Sequence, residues 1–128
     1  MKLSKAEEQL MEIIWKHERC FFKEIIDSYS EPKPATTTVV TLLKRMQEKG
    51  AVAYNLFGNS RQYYPLIQKN DYFKKHMNGI VKDFFGNSAL QFASFFTTSG
   101  NLSEKELEEL KKIIEQQIKR QKNDNLSD

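Results

Sequence analysis

Hydroxyls and cations recur at helical spacing in one stretch of the chain, TTTVVTLLKRMQEKG, residues 36 to 50. Thr37, Thr41 and Lys44 stand four and three residues apart, so on an α-helix they share one side. Short hydroxyl side chains beside a cation are the groups that hydrogen-bond base edges and phosphates in a DNA groove. Directly behind lies AVAYNLFGNSRQYYPL, in which Arg61 flanks a Gly58-Asn59-Ser60 turn and is placed for a phosphate or the minor groove. Catalytic chemistry has no such constellation. The chain holds two histidines (His17, His76) and one cysteine (Cys20), and no HExxH, P-loop or GxSxG pattern occurs. His17 continues an apolar helical stripe and His76 flanks another, places that suit packing, and Asp71 and Asp83 near His76 have no nucleophile with them. No catalytic residue, metal ligand set or cofactor is assigned, and the chain is read as a non-enzyme.

Charge points the same way. Of 20 Lys and Arg and 17 Asp and Glu, the segment from Lys33 to Arg61 holds five cations (Lys33, Lys44, Arg45, Lys49, Arg61) and one acid, Glu48. That leaves 15 cations against 16 acids elsewhere, so all the excess positive charge of the +3 chain lies in and around the quoted stretch. Such a segment favours phosphate contact through counterion release, although charge alone fits a solvated basic face equally well.

The elements that would position these groups follow from pattern. Ser4-Lys5-Ala6-Glu7 has the capping-box form and opens a first helix, with Ala6, Leu10, Ile13, Ile14 and His17 as its buried stripe. FFKEIIDSY suits a short second helix with Phe22, Ile25, Ile26 and Tyr29 inward, ended by SEPKP. A third helix runs from Thr36 to Lys49, with Gly50 as its left-handed cap and Lys49 complementing its negative end. Val39, Leu42, Leu43 and Met46 fall on its core side, Thr37, Thr41 and Lys44 opposite, and Val40 on the flank. Residues Ala51–Phe57 and Gln62–Leu66 read as strands. Three helices and a hairpin make a winged helix-turn-helix, in which the third helix enters the major groove and the wing reaches the adjacent backbone. The fold class is mainly α with a small β-hairpin.

The second half differs. Phe73, Met77, Ile80, Val81 and Phe84 share one helical face; NSALQFASFF is a short apolar helix; Ser103-Glu104-Lys105-Glu106 is another capping box, followed by a stripe of Leu107, Leu110, Ile113, Ile114 and Ile118. Three short helices cannot bury so many phenylalanines among themselves; they need either the winged domain or a second copy of the chain, and a two-fold homodimer buries the same patch on both partners. The expected organisation is a winged-helix domain over 1–67, a helical dimerisation region over 68–122 and a polar tail over 123–128. Phe73, Met77, Ile80, Phe84, Phe92, Phe95, Leu107, Leu110 and Ile114 are the dimerisation candidates.

Residues 38 to 50, TVVTLLKRMQEKG, resemble the T-V-x-T-L-L-x-R-L-x-x-K-G core of the penicillinase-repressor (BlaI/MecI) family, which also includes copper repressors of the CopY type. The resemblance extends to Ala6-Glu7 with Trp15, to Lys23-Glu24-Ile25, to Tyr64-Pro65-Leu66 and to LSEKELEELKKII, residues 102 to 114. It implies a dimeric repressor on an inverted-repeat, double-stranded DNA operator, relieved when a partner membrane sensor protease signals and the repressor is cleaved in its dimerisation region. Carried over, the base-reading positions are Thr37, Val40 and Thr41, and the backbone contacts are Lys44, Arg45 and Arg61. Three departures stand out. Val40 is apolar where polar or basic residues are frequent; Pro32-Lys33-Pro34 replaces a Trp-Ser type of entry; and Phe21-Phe22 stands where Ser or Thr often precedes the second helix. The copper branch's cysteine cluster is absent, which excludes copper sensing through thiolates. The β-lactam branch is cut at an Asn-Phe bond, and no such dipeptide occurs here; Gln91-Phe92 is the nearest analogue.

No apolar run approaches the roughly 20 residues that span a bilayer, so no membrane insertion is expected. MKLSKAEEQL lacks the apolar stretch of a secretory signal, and the expected location is cytoplasmic. The rival to a DNA-binding repressor is a winged-helix protein-interaction module without DNA binding. Acids on the outer face of the third helix would favour it, and only Glu48 lies there.

Overall fold

The first helix begins where its capping box requires. In the computed structural model of the protein, which describes residues 1–126, α1 (Lys5–His17) starts at Ser4, whose Oγ accepts from the Glu7 N–H at 3.2 Å while the Glu7 Oε1 accepts from the Ser4 N–H at 2.8 Å. A turn with Glu18 in the left-handed region (φ 63°) leads into a two-residue strand, β1 (Cys20–Phe21), and then α2 (Phe22–Ser28) and α3 (Thr36–Glu48). The wing is β2 (Val52–Phe57) and β3 (Ser60–Pro65). These pair antiparallel from Val52 opposite Pro65 to Phe57 opposite Ser60, with Gly58 at φ 62° opening the two-residue connection. β1 adds to the free edge of β3, Cys20 opposite Tyr63, so the sheet has the order β1-β3-β2. The sequence pattern predicts a two-stranded hairpin; the third strand, only two residues long, carries no periodicity to detect.

The end of α3 is a Schellman cap: the Gly50 N–H donates to the Gln47 carbonyl at 3.0 Å and the Ala51 N–H to that of Met46 at 2.8 Å, with Gly50 at φ 80°. This cap turns the chain straight into β2. Val39, Leu42, Leu43 and Met46 are all buried, in a core with Leu10, Met11, Ile14, Ile25 and Tyr63. α1 differs from its expected stripe: Leu10 and Ile14 are buried, but Ala6 and His17 are exposed, and Glu7 and Met11 are buried instead. The apolar pattern could not place a carboxylate inside. It lies there because the Lys49 Nζ reaches the Glu7 Oε1 at 2.6 Å.

The chain divides into two compact units, Met1–His76 and Met77–Asp128. The first ends inside α4 (Lys69–Phe84), because the opening turns of that helix are tied to α1. The Tyr72 hydroxyl donates to the Glu8 Oε2 at 2.8 Å, Lys69 pairs with Glu12 at 3.0 Å, and the Trp15 ring lies 5.9 Å from Tyr72 and 6.0 Å from Phe73. The Trp15 indole N–H donates to the Ile67 carbonyl at 2.9 Å. The second unit holds the rest of α4, α5 (Ala89–Ser99) and α6 (Glu104–Leu126). Ser88 caps α5 through the Gln91 N–H, and the foreseen box at Ser103 and Glu106 forms, both bonds 3.1 Å. Phe85 stacks edge-on to Phe92 and tilts against Phe95, each at 5.5 Å. α6 runs on through Leu126, into the segment expected as a polar tail, of which residues 127 and 128 lie outside the described residues.

The Glu7–Lys49 pair generates a sign test. Burial pushes the Glu7 carboxyl up, but the Lys49 and Ser4 hydrogen bonds and the Lys49 charge outweigh it, so its pKa lies below the ordinary value. A lowered folded pKa gives stability that is complete above the unfolded value and is lost as pH falls through the folded one. Lys49→Met should cost about 1–3 kcal/mol near neutral pH, less than a fully enclosed pair because Lys49 reaches solvent. Without the cation, burial dominates and the carboxyl pKa rises. The urea midpoints of variant and parent should therefore converge on acidification through the carboxylate range; parallel curves would contradict this role for Lys49.

Candidate nucleic-acid interface

α3 presents the residues picked from the sequence on its outer side: Thr37, Val40, Thr41, Lys44 and Arg45 are all exposed. Its N-terminus is open. Ala35 at the cap position has no side chain to accept from the first-turn N–H groups, and the first turn carries no acid. An uncapped positive helix end of this kind attracts phosphate. Thr41 is more specific than its type alone implies. Its hydroxyl donates to the Thr37 carbonyl at 3.0 Å, so its hydrogen is committed to the helix and toward any further partner its oxygen can only accept. Held so, Thr41 is an acceptor, suited to the amino groups that adenine and cytosine present in the major groove.

The five cations of the basic segment divide. Lys49 is held by Glu7 and by the Lys2 carbonyl at 3.1 Å, not at the end of its own helix. Lys33 donates to the carbonyls of Ile26 and Asp27 at 3.2 and 3.4 Å, closing the C-terminus of α2. Lys44, Arg45 and Arg61 have no ion pair among the described residues. Arg61 lies on β3 with its guanidinium 4.4 Å above the Tyr54 ring, and Tyr54 in turn packs on Tyr63 at 5.6 Å. The cation is thus carried along the wing on an aromatic face, with the Tyr63 hydroxyl as a hydrogen-bond partner.

Between α3, the start of α2 and the wing runs a groove lined by Phe21, Phe22, Lys23, Val40, Asn59, Ser60, Arg61 and Tyr63. It brings Val40 and Arg61 to two sides of one concavity, and it adds Lys23, Phe21 and Phe22, which sequence reasoning did not place in the site. Their signal was the unusual Phe-Phe pair before α2. Without a hydroxyl at the cap, α2 keeps the half of the capping box that needs none, the Phe21 N–H donating to Glu24 at 2.9 Å. Phe21 instead meets Phe57 of the wing edge-on at 5.9 Å.

Burial, then the charge of Glu24, pushes the Cys20 thiol up to about 11, so it stays protonated at neutral pH and is a poor ligand or nucleophile. No cluster of three or more His, Cys, Asp or Glu able to hold a metal, and no helix long and apolar enough to cross a membrane, occurs among the described residues. The dimerisation candidates lie on α4 (Phe73, in the first unit, and Met77, Ile80, Phe84), α5 (Phe92, Phe95) and α6 (Leu107, Leu110, Ile114). Seven of the nine are exposed, Phe84 by 78%; Phe92 and Leu110 are half-buried.

A family model described as penicillinase repressor matches residues 3–116. The penicillinase repressor of Bacillus licheniformis is 29% identical over 122 residues, covering 94% of this chain and 95% of that protein. The methicillin resistance regulatory protein MecI of Staphylococcus aureus (strain N315) is 29% identical over 118 residues, covering 88% of this chain and 93% of that protein. Among solved structures, that of the DNA-binding domain of the repressor BlaI matches with a TM-score of 0.50 and 33% identity, over 56% of this chain and 88% of that one.

Two substitutions separate reading from anchoring. Thr41→Val keeps the shape and methyl of Thr41 but removes the acceptor, and should lower discrimination at one or two base pairs by about 1 kcal/mol. Arg61→Ala should weaken binding to all duplexes alike and reduce the salt slope by about one. Titrations of selected and random duplexes at several salt concentrations check both; equal losses on the two duplexes for Thr41→Val would refute its assignment.

Proposed function

The chain belongs to the penicillinase repressor family, and from that premise we propose that it is a DNA-binding transcriptional repressor acting as a homodimer on an inverted-repeat operator. The observation that carries the DNA-binding part is the outer face of α3: exposed threonines, an open helix N-terminus, and Lys44, Arg45 and Arg61 without an ion pair among the described residues, while the other two cations of the segment are used inside the fold. In this reading α3 enters the major groove, Thr37, Val40 and Thr41 face base edges, Lys44 and Arg45 hold the backbone, and the wing's Arg61 reaches the neighbouring phosphates.

The homodimer rests on the second unit. Phe84, Leu90, Phe95, Ile113 and Ile114 are large apolar residues exposed in the single chain. Such a surface fits an isologous contact with a second copy, which couples two DNA-binding units and raises affinity by about 10² to 10⁴ through effective concentration. Relief through a partner membrane sensor belongs to the same reading by family pattern. Gln91-Phe92, the bond nearest that pattern, lies inside α5 with Phe92 packed on Phe85, so a protease needs that helix to unwind first. We infer a cytoplasmic location from the same role.

The test is enrichment of sheared genomic DNA by the purified protein, followed by a salt titration on the best fragment. An inverted repeat with half-sites spaced by about one or two helical turns is the expected outcome. Uniform or absent enrichment would favour the interaction-module reading. The fragment 1–76 keeps Trp15 covered by Tyr72 and should be a folded monomer with poor operator affinity, whereas a cut after Leu66 removes that cover and should destabilise the unit. Operator binding by 1–76 as tight as that of the full chain would refute the dimer.

A further inference from the structure

Val40 breaks the polar character of the outer face of α3. It is 55% exposed, one residue before Thr41 and a turn after Thr37, and it forms one wall of the groove shared with Phe21, Phe22 and Tyr63. An apolar side chain that serves the core is buried, as Val39 next to it is; this one is not. The groove's charged groups are cationic: Lys23 comes from α2 and Arg61 from the wing. An apolar wall with cations around it admits a group whose outer parts are anionic and whose inner edge is apolar. In a duplex those are the phosphates and the C5-methyl of thymine, the one apolar group a base shows in the major groove. A valine cannot read any other base edge, since it neither donates nor accepts.

We propose that Val40 is a specificity-determining residue that selects thymine through its methyl group, each half-site carrying a thymine where Val40 meets the major groove. This rests on the DNA-binding reading above and deepens it. The neighbouring Thr41, its hydroxyl hydrogen already spent on Thr37, accepts from an adjacent amino group, so the pair reads a methyl beside an amino donor.

The experiment uses the full chain and a random duplex library. Sequences enriched by the protein are resynthesised with deoxyuridine replacing thymidine one position at a time, which deletes the methyl and leaves every hydrogen-bonding atom in place. The parent protein should lose about fourfold in affinity for each methyl removed at one symmetric pair of positions, from the burial of one carbon. Val40→Ala, at an exposed helical position that tolerates alanine, should bind thymine and uracil duplexes alike. Enriched sequences with no uracil-sensitive position, or a sensitivity that Val40→Ala leaves intact, would overturn the thymine assignment alone. No enriched sequence at all would overturn the DNA-binding reading and this inference with it.

Discussion

The bridge between Glu7 and Lys49 is the contact on which the geometry of the winged unit turns. One carboxylate oxygen closes the capping box of α1 and accepts from the cation at the end of α3, while that cation also holds the Lys2 carbonyl. The start of the chain, the first helix and the helix that faces outward therefore meet at one oxygen. Glu7 is only 2% exposed, and its second oxygen is buried without a hydrogen-bond partner among the described residues. A buried carboxylate deprived of its cation is costly, so packings that shift α3 along α1 are disfavoured even where they would bury as much apolar surface. An apolar pair of equal volume can stabilise as much; the ion pair's distinctive effect is on which arrangement wins.

α3 shows how the two ends of one helix can have opposite duties. Its C-terminus is finished within the protein: the Schellman bonds use its last carbonyls and Gly50 turns the chain into the wing. Its N-terminus is left to solvent, with no capping side chain on Ala35 and three threonines in a row. The backbone dipole thus ends in protein on the negative side and in water on the positive side, the polarity that a polyanion favours. The five cations of the basic segment divide by use rather than by helix end: Lys33 and Lys49 answer carbonyls or a carboxylate within the fold, while Lys44, Arg45 and Arg61 form no ion pair among the described residues.

Periodicity and local chemistry made much of this legible in the sequence. The two faces of α3, its glycine cap, the boxes at Ser4 and Ser103 and the wing all depend on residues within a few positions of each other. What stayed hidden depends on distant partners. Glu7 is inside because of a lysine 42 residues away, and Tyr72 belongs to the first unit because Glu8 and Trp15 receive it. β1 exists only because β3 offers an edge. Arg61 could be placed near the tip from its position, but not over Tyr54, which needs the register of the hairpin. The groove beside Val40 was likewise invisible, since its walls come from four separate elements, β1, α2, α3 and β3.

The chain's single cysteine also makes the winged unit a clock. Cys20 is fully buried where β1 pairs with β3, opposite Tyr63, and its thiol is held protonated. A thiol reagent in solution meets it only in molecules whose sheet edge has lifted, so the labelling rate reports how often that edge opens, with no competing signal from any other sulfhydryl.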